Sequence, residues 1–363
     1  MRVKLKDITK FSKGTQINGK NLIDDGAYSY LNGGINPSGK WNEFNVAENT
    51  VTISEGGNSS GYVNYMNEAF WCGAHCYYLY DGPKNSKYLY YALKSQQERL
   101  FRIRSGACMP NIKKSDLGNF IIEYEEDETR QEEVVKVLEK CELLIEDYNK
   151  KLALLDEAVR ARFVEMFGDP VINSCQLPVQ PMTDICDIID GDRGKNYPKS
   201  EEILDDGYCL FLNAKNVTQK GFDFENCNFI TREKDDALRN GKLSRGDVVL
   251  TTRGTVGNLA YYSKNVPYEN IRINSGMVIL RMNRSILNEI YFIELFKMKL
   301  SDIKEKIASG SAQPQLPIST MNKIILMIPP LEFQNHFASF VKEVDKSRLL
   351  SNHLLFLIKS ITF

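Results

Sequence analysis

ETRQEEVVKVLEKCELLIEDYNKKLALLDEAVRARFVEMFGDP, Glu128 to Pro170, decides how the rest of the chain is read. No proline or glycine interrupts 128–167, and Val134, Leu138, Cys141, Ile145, Tyr148, Leu152, Leu155 and Val159 recur at alternating steps of four and three. Residues at that spacing share one stripe of an α-helix and form the seam of a coiled coil. Gly168 then offers a left-handed C-cap and Pro170 a stop. A helix with one apolar stripe has to bury it against something. From IPPLEFQ onward the run to Phe363 is also helical in pattern, with Phe337, Val341, Val344, Leu355 and Ile358 along a looser apolar face. Two such helices in one chain are expected to pair antiparallel within it; the plainer alternative is a dimerisation zipper.

Outward from the helices, the chain repeats itself. LKDITKFSKG (Leu5–Gly14) matches MTDICDIIDG (Met182–Gly191), and DDGAYSYLN (Asp24–Asn32) matches DDGYCLFLN (Asp205–Asn213). NTVTISEGGNSSGYVNYM (Asn49–Met66) resembles GDVVLTTRGTVGNLAYY (Gly246–Tyr262), a strand, a glycine-rich turn and a second strand. SGACMPNIK (Ser105–Lys113) and SGSAQPQLP (Ser309–Pro317) each lie between a helix-like run and a β-like run. Ser, Gly and one Pro are shared between them, while Gln313 and Gln315 stand against Met109 and Asn111. Each half therefore reads as a β-rich domain followed by a helix. The expected fold is α+β: domains at 1–127 and 168–330, long helices at 128–167 and 331–363.

Length and composition suit that layout. The 363 residues are 42% apolar and 26% charged, enough for two domains with real cores. No apolar run approaches the roughly 18 residues that span a bilayer, and MRVKLKDITKF lacks a secretory core, so a cytoplasmic protein is expected. Eight cysteines without short paired spacings suit reduced thiols. A net charge of −1 excludes neither basic nor acidic partners, since one face can differ from another.

With these motifs in their repeated order, the chain resembles the DNA-specificity subunit of a Type I restriction-modification enzyme over nearly its whole length. LKDITKFSKG with MTDICDIIDG, TISEGGNSSGYV with TTRGTVGN, SGSAQPQLPISTMNKIILMIPPLEFQ and ARFVEMFGDP carry the resemblance. The first copy departs at its domain-to-helix junction, IIEYEEDETRQ against ILMIPPLEFQ, although Gln131 and Gln334 stay matched. The resemblance implies two target-recognition domains related by a pseudo-twofold repeat and joined by an antiparallel coiled coil. It implies recognition of a bipartite double-stranded DNA target, with two methyltransferase subunits and motor-nuclease subunits as partners. No catalytic site and no cofactor are implied for this chain; S-adenosylmethionine, ATP and Mg would serve the partner subunits. The competing class is a scaffold with two protein-binding modules and no affinity for DNA.

Motifs that tempt an enzymatic reading fall short. GINPSGKW (Gly34–Trp41) fits a phosphate loop until its last position, where Trp41 replaces the Ser or Thr that holds magnesium, and no helix pattern follows. Cys72, His75 and Cys76 in FWCGAHCYYLY suggest zinc, but a closed site needs four ligands and only Cys108 offers itself. The matching INSGMVILRM has none of them, so a buried strand is the better reading and no metal is expected. IPPL at Ile328 lacks both the polar first residue and the aromatic last residue of an adenine-methyltransferase motif. His75, His336 and His353 are the only histidines, and the sequence nominates no third group to orient a nucleophile pair.

DNA reading needs Arg or Lys for guanine edges, Asn or Gln for adenine edges, and basic or small polar side chains for phosphates. The first domain offers Lys13, Thr15, Gln16, Asn32, Asn36 and Lys40, then Asn58, Ser59, Ser60 and Tyr62. The second offers Arg193, Lys195, Asn196 and Tyr197, then Asn213, Lys215 and Asn216, then Arg253, Thr255 and Asn258, with Gln313 and Gln315 farther on. For each of them the plainer reading is a solvated polar group in a loop. Trp71 and Tyr78 alternate as strand residues do and read as core. The seam from Val134 to Val159 corresponds to about 39 Å of helix, or about 11 base pairs of duplex.

Overall fold

The computed structural model describes residues 1–106, 108–308 and 315–362, except for the side chains of 304–308 and 361–362. The chain divides into two compact units, Met1–Lys150 with Ser351–Phe363, and Lys151–Leu350. The boundary does not fall where the helices begin: each unit takes a piece of both.

In the first unit, strands Lys10–Lys13, Cys76–Tyr80, Thr50–Ser54 and Val63–Met66 form an antiparallel sheet in that order. A second sheet orders Gly39–Trp41, Tyr28–Leu31 and Phe70–Cys72, the first pair antiparallel and the second parallel. Arg2–Lys4 pairs with Ile121–Glu123 next to the long helix. The second unit repeats all three. Its four-stranded sheet orders Cys186–Asp190, Met277–Met282, Val248–Thr251 and Leu259–Tyr261. Its three-stranded sheet orders Phe229–Ile230, Cys209–Leu212 and Ile271–Ile273, again antiparallel then parallel. Val179–Pro181 pairs with Ile325–Met327.

Strand periodicity explains why these sheets sit between two cores. Side chains alternate faces, so an unbroken apolar strand feeds both sides. Val248, Leu250, Val278 and Leu280 pack in one cluster with the helical residues Tyr291, Phe292, Leu295 and Phe296. Val249, Ala260, Met277 and Ile279 pack in the other with Leu212, Ile271 and Ile273. In the first unit Tyr77 and Leu79 join Val51, Ile53, Leu89 and Leu93 on one face, while Cys76 and Tyr78 join Leu31, Phe70 and Cys72 on the other. GINPSGKW joins two strands of a hairpin, Gly39–Trp41 being the second, so no helix N-terminus faces that loop.

The central helix runs unbroken over Glu128–Phe167. Asp127 caps it by accepting from the amides of Thr129 (2.9 Å) and Arg130 (3.3 Å). Gly168, at φ 76°, ends it in the left-handed conformation that favours glycine. The second long helix is Leu331–Thr362. Within the second unit the two pair antiparallel: Phe163 meets Phe337 near the start of the second helix (5.4 Å between ring centroids), and Arg348, farther along it, reaches back to Asp156 (2.7 Å). Phe163 and Phe167 are fully buried against Tyr291 and Phe337. Along the second helix a stripe of sheltered residues, Gln334, Phe337, Val341, Val344, Arg348, Ser351, Leu355 and Ile358, follows a 3-4 alternation, with Ala338, Phe340 and Leu354 sheltered beside it.

One member of the proposed seam is displaced. Val134 is 42% exposed, and the sheltered positions are Gln131, Val135 and Leu138. The inward stripe starts on a buried glutamine, a residue that an apolar template passes over. Leu138, Cys141, Ile145, Tyr148, Leu152 and Leu155 are half-buried and Val159 is buried. Among the described residues no helix is long and apolar enough to cross a membrane.

Candidate nucleic-acid interface

Five connections gather at one end of the first unit's sheets. They follow Lys13, Leu31, Ser54 and Cys72, and the fifth lies between Arg104 and Ile112. Gly14 and Thr15 donate backbone N–H groups to the carbonyls of Cys76 and Cys72. The Asn32 amide oxygen accepts from the His75 amide (3.3 Å), and Ser59 donates its hydroxyl to the Gly33 carbonyl (2.6 Å). Lys13 bonds Glu55 at 2.5 Å, with His75 Nδ1 3.5 Å from the same carboxylate. Arg104 donates to the Asn58 carbonyl (3.4 Å), and Ile112 donates its amide to Glu55 (2.9 Å).

The second unit builds the same end from the equivalent connections. Arg193 donates to the Ser275 carbonyl (3.2 Å) and to Asp190 (3.1 Å). Asn274 donates its amide to the carbonyl of Leu212 (3.2 Å), and the Thr252 and Arg253 amides both donate to Gly276. Leu316 donates its amide to Thr252 (3.0 Å), the counterpart of Ile112 on Glu55. Arg253 is bridged to Gln315 as Gly56 is to Asn111. Gln315 thus holds in the second unit the place that Asn111 holds in the first. Ser309–Pro314, and Gln313 with it, lie outside the described residues.

Burial divides the candidates. Ser60 is buried and donates to the Glu55 carbonyl (2.7 Å). Asn216 is buried, donating to Asp223 (3.0 Å) and Asn226 (2.9 Å) and accepting from the Asn213 amide. Asn258 donates to the Val217 carbonyl (2.9 Å), Asn196 to Ala237 (2.9 Å), and Asn213 caps the amide of Lys215 (2.9 Å). Tyr197 packs edge-on against Phe211, and Tyr62 lies under the ammonium of Lys94 (3.7 Å). Gln16 donates to the adjacent Ile17 carbonyl (3.2 Å). These side chains hold the loops in shape, and Ser60 and Asn216 are corrected from reading groups to architectural ones because burial removes them from any ligand. Thr15, Asn36, Asn58, Lys195, Lys215, Arg253, Thr255 and Gln315 stay exposed on these connections, while Lys40 is exposed on the strand Gly39–Trp41 and not on a loop.

Three further residues shape the same ends: Asn274 and Asp192, which no motif announces, and His75, which the sequence points to only as a metal ligand. Asp192 is buried and accepts from the amides of Gly194 and Arg239 (2.7 Å each), which hold its carboxyl below the usual range. Trp71, expected in the core, is half-buried and edge-on to Trp41, and it donates its indole N–H to the Thr15 carbonyl (2.7 Å), tying that ring to the loop. Cys72 and Cys76 are buried thiols, and the contact between them, then burial, raises the Cys72 thiol above its ordinary range. Among the described residues no group of three His, Cys, Asp or Glu side chains is placed to hold a metal.

A family profile described as "Type I restriction modification DNA specificity domain" matches residues 1–156 and 179–359. A putative type I specificity subunit of Mycoplasma genitalium is 29% identical over 318 residues, covering 83% of this chain and 75% of the relative. A putative type I specificity subunit of Mycoplasma pneumoniae is 29% identical over 317 residues, with coverages of 83% and 77%. The crystal structure of a Type I restriction-modification S subunit from M. genitalium shares the fold at a TM-score of 0.62 and 22% identity, over 100% of this chain and 93% of that one.

Proposed function

The chain belongs to the Type I restriction-modification DNA specificity family, and from that membership we propose how it works. It is the non-catalytic subunit that recognises DNA target sequences and directs methyltransferase and nuclease subunits. Each half reads one part of a bipartite target with the loop ends described above, and the halves of the target are unlike. The single observation that carries this is the pair of matching loop ends: one architecture, held by equivalent backbone bonds, presents Thr15, Asn36 and Asn58 in one unit and Lys195, Lys215, Arg253 and Thr255 in the other. A shared frame with different tips is what reading two different half-sites requires.

The finer assignments extend the same reading. Two methyltransferase subunits and the motor-nuclease subunits assemble on this chain, in the cytoplasm. S-adenosylmethionine, ATP and Mg belong to those partners. The unread spacer between the half-sites follows the length of the two long helices. The test is to co-produce the chain with its methyltransferase partner and map methylated adenines. One new bipartite motif with unlike halves is expected; a soluble complex that adds no motif overturns the proposal.

A further inference from the structure

The two units differ between their three-stranded sheets and the bridges that follow. In the first, residues 42–45 connect Trp41 to a bridge between Val46 and Phe70; in the second, residues 231–241 connect Ile230 to the equivalent bridge between Lys242 and Arg272. The longer connection carries a short helix, Arg232–Ala237, and then a turn with Arg239 at its tip.

That turn is rigid for a definite reason. Arg272 is buried, paired with the fully buried Asp235, and donates to the carbonyls of Asp235 (2.8 Å), Leu238 (3.1 Å) and Asn240 (2.8 Å). Lys242 closes the other side of Asp235 at 2.5 Å. The backbone is thus clamped on both sides of Arg239, whose own amide donates to Asp192 (2.7 Å). Asn196, bonded to the Ala237 carbonyl, fastens the loop after Asp190 to the same segment.

The Arg239 side chain is 77% exposed, and its guanidinium lies over Gly194, where a Cβ would come within 2.7 Å of a terminal nitrogen. Asp192, its nearest acid at 4.0 Å, is already bonded by two backbone amides. A fixed backbone therefore presents a largely exposed, planar cationic fork over Gly194, between Arg193 and Lys195 in the sequence. A fork of that kind donates two hydrogen bonds in fixed geometry to the paired acceptors of guanine in the major groove, which an ammonium meets with less directional constraint. We propose that Arg239 is a specificity-determining residue of the second unit, reading a guanine edge in one half of the target. The inference rests on the DNA-reading assignment above.

The test uses the complex with its methyltransferase partner and the duplex motif mapped for the wild type. Arg239→Ala and Arg239→Lys are compared by methylation mapping and by binding at several salt concentrations. Loss of about 10- to 100-fold discrimination at one base position of one half-site in both variants, the other half unchanged, is the expected result. A sequence-independent weakening, with a shallower salt dependence in Arg239→Ala and recovery in Arg239→Lys, makes Arg239 a phosphate contact and overturns the proposal. So does an unchanged motif at unchanged affinity. A wild-type complex that binds no duplex defeats the underlying function and this inference with it, and is told apart by the wild-type lane alone.

Discussion

Gln131 and Gln334 occupy equivalent positions at the starts of the two long helices and use their amides the same way. Gln131 donates to the Glu125 carbonyl (2.7 Å) and the Tyr124 hydroxyl (3.1 Å); Gln334 donates to the carbonyls of Pro329 (2.8 Å) and Ile286 (2.9 Å) and accepts from the Asn288 amide (2.8 Å). Both are almost wholly buried. The first copy's junction has no prolines, yet the glutamine still ties the helix to the strand before it. Removing either amide leaves buried partners unsatisfied, at about 1–3 kcal/mol each. Gln334→Ala, which orphans three backbone groups, should lower the thermal midpoint more than Gln131→Ala; equal midpoints would refute the comparison.

The aromatic knot of Phe163, Phe167, Tyr291 and Phe337 joins both long helices to the helix Glu289–Ala308 in the second unit. Phe163 is fully buried. Phe163→Ala should destabilise that unit by about 3–5 kcal/mol, from the burial forfeited and the cavity left behind. Denaturant unfolding followed by tyrosine fluorescence would show it, and a loss below about 1 kcal/mol would mean the knot collapses freely around the gap.

Asp235 responds to opposing influences. Burial raises its pKa, and hydrogen bonds from Lys242 and Arg272 more than reverse that, leaving it below the usual carboxylate range. A carboxyl lowered on folding contributes stability that is complete above its unfolded pKa of about 4 and is lost as pH falls through the folded value. Wild-type stability should therefore drop more steeply below about pH 4 than that of Asp235→Asn. The variant should be weaker by about 3–5 kcal/mol at neutral pH, because Arg272 is left buried without its charge partner. Parallel acid-unfolding curves for the two proteins would count against this account.

The exposed cations of the second unit's loop end have a separate signature. Neutralising Lys195, Lys215 and Arg253 together should flatten the dependence of log affinity on log salt by up to about 3, roughly 0.9 for each phosphate no longer neutralised. A slope unchanged from wild type would place all three away from the DNA backbone.

Helix length offers a coarser handle. Adding one heptad at matched points of both long helices adds about 10 Å of coil, equivalent to about 3 base pairs. Methylation mapping should find the same half-sites with a longer spacer; an identical motif would uncouple the spacer from the helices.

The long helices and the repeat were legible because both rest on period: a 4-3 stripe, and strands set between glycine-rich turns. The stripe misplaced Val134 because its true first member, Gln131, is polar. The loop candidates were harder to sort. Asn216, bonded to two carbonyls, and Asn36, exposed at a tip, carry the same amide, and only the folded backbone distinguishes them. The clamp around Arg239 was invisible for a related reason. REKDDALRNGK has no apolar period and reads as a solvated charge run, although Asp235 within it is fully buried.

The division of the chain also bears on the order in which it is made. The first unit comprises Met1–Lys150 and the residues from Ser351 on, with the whole of Lys151–Leu350 between them in sequence. During synthesis, the stretch bearing buried Ser351 and Leu355 leaves the ribosome only after every residue of the other unit. The half that is translated first is therefore the half that is completed last.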